Sequence, residues 1–408
     1  MSDCVVIVAA ARTPIGGFLG ELSALAAPQL GAAAIRAAVR RAGIEAQAID
    51  EVFMGNVLPA GTGQAPARQA ALGAGLSLHA GCTTVNKVCG SGMKAIMLAH
   101  DALVAGSCRV AVAGGMESMS NAPHLLPQSR TGTRMGDARL EDHMFQDGLQ
   151  DAYERDDRGR GRLMGTFAEL CAERYGFSRE AQDAFALRSL ERARTAGADG
   201  SFAAEIEPVI VSRVTTMNAG RGELLVASDE QPRTADPAKI ARLKPAFRPD
   251  GTVTAANSSS ISDGAAAVVL MRRSEARARG LPILAEIRAH AFHAQEPAWF
   301  STAPAGAMRK ALARADWSIE EVDLIEINEA FAVVALAAMR DLELDPARVN
   351  VHGGACALGH PIGASGARIV VTLIAALEKH GLSRGMASLC IGGGEATALA
   401  IERPKPGA

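Results

Sequence analysis

Cys89 stands in the stretch Val85–Ile96, Val-Asn-Lys-Val-Cys-Gly-Ser-Gly-Met-Lys-Ala-Ile. Gly90 and Gly92 break an apolar run there, and helical spacing resumes at Met93, Ile96 and Met97. A thiol at such a strand-to-helix turn faces converging backbone N–H groups and the positive end of the helix dipole, which lower its pKa and make it a nucleophile. The competing reading is a buried structural cysteine, because free cysteine is among the most buried residue types.

What favours chemistry lies in the last quarter of the chain. Asn350–Gly366 is a glycine-rich turn leading into a helix, and His360 is locked in it between Gly359 and Pro361. His360 is the candidate base; His352, on the strand side of the same segment, is the alternative, with a satisfied buried imidazole as its bland reading. Cys390 ends an apolar strand just before Gly392, Gly393 and Gly394, whose N–H groups can hold an oxyanion. Asn328 follows the strand Val322–Ile327 and opens Asn-Glu-Ala-Phe-Ala; its amide either orients a water or the histidine, or caps a helix. Taken together these residues supply a cysteine nucleophile, a histidine base, a second cysteine and backbone oxyanion holes.

The elements that must position them alternate as β-α-β. Val5–Ala10, Ile49–Val57, Arg109–Ala113, Ala265–Leu270, Ile283–His290 and Ala387–Ile391 are predicted strands, the third ending at Gly114-Gly115. Leu30–Ala42, Gln64–Leu72, Ala305–Arg314 and Gly363–Leu377 are predicted helices, with a capping-box pattern at Ser318-x-x-Glu321 and a Ser178-capped helix running to Thr195. Five features of the first half recur in the same order in the second, which points to a duplicated α/β fold. The implied organisation is a first half over residues 1–119, an inserted lobe over 120–250, the remainder of the first half over 251–280, and a second half over 281–408. Within the insert, the polar stretch Asn121–Arg162 carries Arg130, Arg134 and Arg139; it is either a solvated excursion or a subunit or phosphate contact.

Composition narrows the function classes. The 408 residues are 48% hydrophobic and 21% charged, with only 4% aromatic, so the core must be built from Ala, Val, Ile and Leu. A net charge of −2 without a basic stripe disfavours nucleic acid, and no apolar run approaches the ~20 residues of a membrane span. Seven scattered cysteines with no C-x-x-C fit a reducing cytoplasm and argue against zinc or disulfides. The N-terminus enters a strand directly, with no charged leader.

With these motifs in view, the sequence closely resembles the thiolases of the acetyl-CoA acetyltransferase type. Asn86–Cys89–Gly92 is similar to the nucleophile motif, Asn328–Ala332 to Asn-Glu-Ala-Phe-Ala, Gly353–Gly366 to the Gly-His-Pro motif, and Cys390–Gly394 to Cys-x-Gly-Gly-Gly; Gly114–Ser118 and Asn257–Ala266 extend the likeness. The resemblance implies two β-α-β halves packed as five α-β-α-β-α layers with an inserted loop domain, and a homotetramer in fatty-acid metabolism. It implies that Cys89, activated by His360, takes an acetyl group from acetyl-CoA. Cys390 then removes the α-proton of a second acetyl-CoA, giving acetoacetyl-CoA and CoA, or in reverse activates CoA for thiolysis. Asn328 would hold a water beside His360 in one oxyanion hole, with Cys89 and Gly392 N–H groups forming the other. No metal or organic cofactor is implied, since the thioester already acidifies its α-carbon. Ser259, Ala255 and Arg233 would line the CoA channel, and Met164, Leu163, Phe300 and Phe331 the acyl pocket.

Four departures stand out. Glu395-Ala396 replaces a usual Met-Gly, Leu163-Met164 a frequent His-Met, Phe300-Ser301 a Met-Gly pair, and Ala256 a glycine. Leu163 and Phe300 should make the pocket more apolar, which leaves room for a degradative 3-ketoacyl-CoA thiolase of broader chain length. A carboxylate at Glu395 either sits near Cys390 and raises its pKa or is a solvated or paired surface group. A decarboxylating ketoacyl synthase would lack a second catalytic cysteine such as Cys390, and a non-catalytic lipid-binding relative would have lost Cys89, His360 or Cys390.

Overall fold

A computed structural model describes residues 3–157, 159–214 and 221–404. The first run of elements is β1 (Val5–Arg12), α1 (Ala27–Ala42), β2 (Glu51–Gly55), β3 (Gly81–Val85), α2 (Ser91–Ala105) and β4 (Val110–Ser118). A long excursion follows, holding α3 (Met164–Tyr175) and α4 (Arg179–Ala198), before β5 (Ser262–Arg272) returns to the sheet. The second run is β6 (Ala285–Ala294), α5 (Ala303–Ala315), β7 (Leu324–Ile327), α6 (Ala332–Asp341), α7 (Ser365–Lys379), β8 (Arg384–Ile391) and β9 (Glu395–Glu402).

Strand order repeats between the runs. The first sheet is β3-β2-β4-β5-β1, parallel across β3, β2 and β4 and antiparallel thereafter. The second is β7-β8-β9-β6 with the same change of sense, and Val349 adds a parallel bridge to Ile325 at its outer edge. The two meet where β1 pairs antiparallel with β6, Val6 opposite Glu286 and Ile7 opposite Ala285.

Alternation along the strands sorts the core into layers. Val6 and Val8 of β1 and Val110 and Val112 of β4 face outward onto α1. Val5, Ile7, Ala111 and Ala113 face the opposite way, onto α2 and α7, which lie side by side between the sheets. On the far side of the second sheet α5, α6 and α3 pack with Ala291, Ala398 and Ala400. The sequence of layers is therefore α-β-α-β-α. The segment Val88–Ala105 has the length and apolarity of a membrane span, contrary to the expectation from the sequence, but it is essentially α2, a core helix.

Several local expectations are corrected. Strand β4 does not stop at Gly114-Gly115 but runs through them. A Cβ on Gly115 would come within 2.0 Å of Gly363 O, and one on Gly114 within 2.0 Å of Ala266 O, so Gly115 admits the second half's backbone and Gly114 that of β5 rather than ending a strand. Glu321 does accept from Ser318 N–H, yet only a turn follows. Asn328 is not a helix cap: α6 starts at Ala332 with Phe331 as its N-cap.

The first turns of α2 and α7 touch. A Cβ on Gly92 would lie 2.8 Å from Ala367 N, and one on Gly366 would lie 2.4 Å from Met93 N. This crossing sets the distance between Cys89, just before α2, and the His360 turn, just before α7. Gly366→Ala is expected to destabilise the protein by about 1–3 kcal/mol through overpacking and to lower kcat by prying the two turns apart; urea unfolding with parallel kinetics checks both.

Candidate active site

Cys89 sits on a strained turn. Val88, a β-branched residue, has φ +46°, a left-handed conformation such residues rarely adopt. The turn is held by its own hydrogen bonds. Ser91 Oγ accepts from Lys87 N–H and donates to Val88 O, Gly90 N–H donates to Lys87 O, and Asn86 Oδ1 accepts from Val88 N–H. The thiol that results is half-buried at the wall of a cavity of about 370 Å³. Burial pushes its pKa up to about 11, against the opposing pull of the Gly392 N–H, which donates to it.

His360 lines the same cavity. Its N–H donates to Ser260 O and Ser262 Oγ, fixing the backbone. Its Nδ1 is 2.5 Å from Ser365 Oγ, in the first turn of α7, and that hydroxyl donates to Pro361 O. Ser365 must therefore accept from Nδ1–H, an assignment made from the hydrogen-bond network, and Nε2 keeps its lone pair. Burial, aided by the positive field of Arg368, lowers the His360 pKa to about 3. The resting pair is thus a neutral thiol and a neutral imidazole.

Asn328 is fully buried against that ring. Its Nδ2 is 3.5 Å from both ring nitrogens, so the amide is not aimed at the Nε2 lone pair. Its Oδ1 has no partner among the described residues. Cys390 is also fully buried, behind the cavity wall; desolvation and then the neighbouring Cys89 raise its pKa well above the ordinary thiol value. A raised pKa makes its thiolate a stronger base once formed. Gly392, two residues on, lines the cavity and turns its N–H to Cys89.

The chain is similar to known proteins over nearly its whole length. The thiolase N-terminal domain family covers residues 5–274 and the thiolase C-terminal domain family residues 281–403. This chain belongs to the thiolase family. It is 50% identical to an acetyl-CoA acetyltransferase of Pseudomonas aeruginosa, over 98% of this chain and 99% of that one. It is 51% identical to acetyl-CoA acetyltransferase 1 of Arabidopsis thaliana, over 98% and 94%. Among solved structures, a Bacillus anthracis acetyl-CoA acetyltransferase superposes with TM-score 0.93 at 41% identity, covering 98% of this chain and 99% of the other. A thiolase from Ascaris suum in complex with coenzyme A gives TM-score 0.90 at 41% identity, covering 98% and 100%.

Of the other residues singled out in this thiolase, Ala255, Ser259, Leu163, Met164, Phe300 and Phe331 all line the Cys89 cavity. Arg233 does not. It pairs with Glu21 at 2.6 Å and lines a separate cleft with Phe202 and Asp229. The reason is the buried guanidinium of Arg12, which grips both carboxylate oxygens of Asp229 at 2.7 and 2.9 Å and anchors the start of the Arg233 helix on that side. His352 is buried away from the cavity, packed on Phe202 and His380. Neither of its ring nitrogens has a partner among the described residues, and burial lowers its pKa to about 4.

Four contributors escaped the sequence. Phe145 and Leu149, from the polar excursion, and Phe247, from the irregular segment, complete the apolar wall; no periodicity marks them. Glu117 is buried and accepts from the N–H groups of Val57, Leu58 and Gly363 and from Asn56 Nδ2, tying the first half to the turn that follows His360. Burial raises its pKa to about 7 in spite of these donors. Its signal was a lone acidic residue in a glycine-rich motif.

Glu395 forms an ion pair with Lys87 and is not among the groups acting on Cys390. The paired-surface reading therefore holds, and the pair joins the nucleophile turn to the glycine turn after Cys390. Glu395→Gln is expected to leave the pH optimum of condensation unchanged and to cost about 1 kcal/mol, as a half-buried, solvent-screened pair does. A downward shift of the optimum would instead place the carboxylate in the Cys390 step.

Proposed function

We propose that this thiolase is an acetyl-CoA C-acetyltransferase, joining two acetyl-CoA into acetoacetyl-CoA and CoA through an acetyl-Cys89 intermediate and running the reverse thiolysis. The observation that carries it is the convergence, on one apolar cavity, of Cys89, His360 Nε2 and the Gly392 N–H, with Cys390 directly behind.

The sequence of steps follows from the groups present. The Cys89 proton passes to His360 Nε2 as Sγ bonds to the thioester carbonyl carbon. The carbonyl oxygen takes the negative charge and is held by N–H donors, each worth roughly 3 kcal/mol in such chemistry. Collapse breaks the bond to the CoA sulfur, which takes the Cys390 proton as it leaves and so generates the Cys390 thiolate, while His360 keeps the proton it took from Cys89. A second acetyl-CoA then gives its α-proton to the Cys390 thiolate. The carbanion bonds to the acetyl carbon, and the Cys89 sulfur leaves, recovering its proton from His360. Asn328, with its free Oδ1, is suited to hold a water that completes the oxyanion site beside His360. The likeness to a thiolase solved with coenzyme A supports CoA thioesters as substrates. No metal or organic cofactor enters these steps.

A second reading, thiolysis of longer 3-ketoacyl-CoA, is favoured by the wall itself, in which Leu163, Phe300, Phe145, Leu149 and Phe247 leave an apolar volume beyond that of an acetyl group. Thiolysis rates on ketoacyl-CoAs of increasing chain length separate the two. We further infer a homotetramer, with the exposed Arg130, Arg134 and Arg139 segment as a candidate contact, and a cytoplasmic setting, which the seven free thiols support. Light scattering that returns a monomer would reject the tetramer.

Radiolabelled acetyl-CoA tests the division of labour. Cys89→Ala is expected to lose both labelling and turnover. Cys390→Ala should still be acetylated but should fail to condense. Equal loss of labelling in the two variants would refute the assignment.

A further inference from the structure

We propose that His100, Asp101 and His290 form a binding site for a divalent transition metal such as zinc, outside the catalytic cavity and bridging the two halves of the fold.

His100 and Asp101 lie on α2, in the first half, and His290 on β6, in the second; none of the three lines the Cys89 cavity. Their ligand atoms form a tight triangle. His290 Nε2 is 2.9 Å from Asp101 Oδ1 and 3.2 Å from His100 Nδ1, and His100 Nδ1 is 3.1 Å from Asp101 Oδ1. The rings meet edge to face, with centroids 4.9 Å apart.

Protons alone serve this triangle poorly. If His290 Nε2–H donates to both other atoms, the Nδ1 and Oδ1 lone pairs are left facing each other. If both rings donate to the carboxylate, two N–H groups face each other at 3.2 Å. A cation above the triangle turns all three lone pairs inward and satisfies every edge. The geometry is close to that needed: three ligands about 2.1 Å from a tetrahedral zinc lie roughly 3.4 Å apart, so the side chains need to open only slightly. Two imidazoles and one carboxylate also match the ligand preference of zinc, with a fourth position left for water.

The surroundings permit it. His290 Nδ1 is buried with no partner among the described residues, so no hydrogen bond on that side of the ring fixes its tautomer, and Nε2 can present a lone pair. Burial lowers the His290 pKa, which keeps the ring neutral and able to ligate. Lys94, on the same helix, also acts on His290, but its flexible stem lets the ammonium withdraw from an incoming cation. Asp101 is exposed, which leaves an entry path from solvent. A bound metal would clip α2 to β6, so its effect should appear as stability rather than turnover.

The test is titration of the full-length, reduced, chelator-treated protein with ZnCl2 by calorimetry and by thermal melting, together with cobalt chloride as a spectroscopic probe. One zinc per chain is expected, with a raised melting temperature. His290→Ala and Asp101→Asn should each weaken that binding by about tenfold or more and abolish the melting shift, while thiolysis rates in metal-free buffer stay at the wild-type level and report that both variants are folded. Bound cobalt should show ligand-field bands without thiolate charge transfer. Absence of zinc binding, undiminished binding in the Asp101→Asn protein, or a thiolate charge-transfer band lost on blocking Cys89 would each overturn the proposal, the last by moving the metal to the catalytic cysteines. Asp101 is a surface residue, so its variant remains decisive if the His290 variant does not fold.

Discussion

Two helices touch at their first turns, and the chemistry of this thiolase depends on that contact. Gly92 and Gly366 let the backbones of α2 and α7 meet without an intervening Cβ. Cys89 immediately precedes one helix. Ser365, in the first turn of the other, reaches back to His360 and sets its tautomer. A side chain at either glycine would separate nucleophile and base, and near-attack chemistry tolerates little such error. Glu117 adds a second tie, holding Gly363 from the opposite half through a backbone N–H.

Burial governs the electrostatics around that contact. The low-dielectric site raises both thiols and lowers the imidazole, so the resting site holds no formal charge on Cys89 or His360. On the proposed mechanism, formal charge appears only as reaction proceeds, where the Gly392 N–H is already placed. Such donors act most strongly in a site from which water is largely excluded. Buried ion pairs lie elsewhere in the fold: Arg12 with Glu205 and Asp229, and Arg368 with Glu326. Arg368 still reaches His360 through its field, reinforcing the neutral ring. Backbone strain at Val88 belongs to the same design, since a turn tightened by Ser91 and Asn86 presents the thiol at the cavity wall.

The cavity wall is assembled from distant pieces. Leu163 and Met164 come from the start of α3, Phe300 from the second half, Phe145 and Leu149 from the polar excursion, and Phe247 from the irregular segment before β5. Phe247 and Phe331 meet edge to face, with Phe300 against Phe331. The cavity wall is thus the property of several loops rather than of one motif, which is why single replacements in the family pattern carry limited information about its shape.

The chemistry-bearing residues were legible in the amino-acid order because each lies in a local pattern that backbone physics dictates. Cys89 and His360 sit in glycine-rich turns ahead of amphipathic helices, Cys390 at a strand end before glycines, and Asn328 just after a strand. The recurrence of Ala-rich helices and apolar strands likewise foretold two similar runs, because periodicities of two and 3.6 residues are local properties. Contacts between those local units were not legible. Gly114-Gly115 looked like a strand end, yet they are interior residues kept small by neighbouring backbones, that of β5 at Gly114 and that of the other half at Gly115. Arg233 looked like a channel residue, but the buried Arg12–Asp229 pair holds it elsewhere. Glu395 finds Lys87, and His100 and Asp101 find His290, only because strands and helices far apart in the chain are brought side by side. Local sequence determines which groups can react; partners, burial and hence protonation state depend on neighbours that only the folded chain supplies.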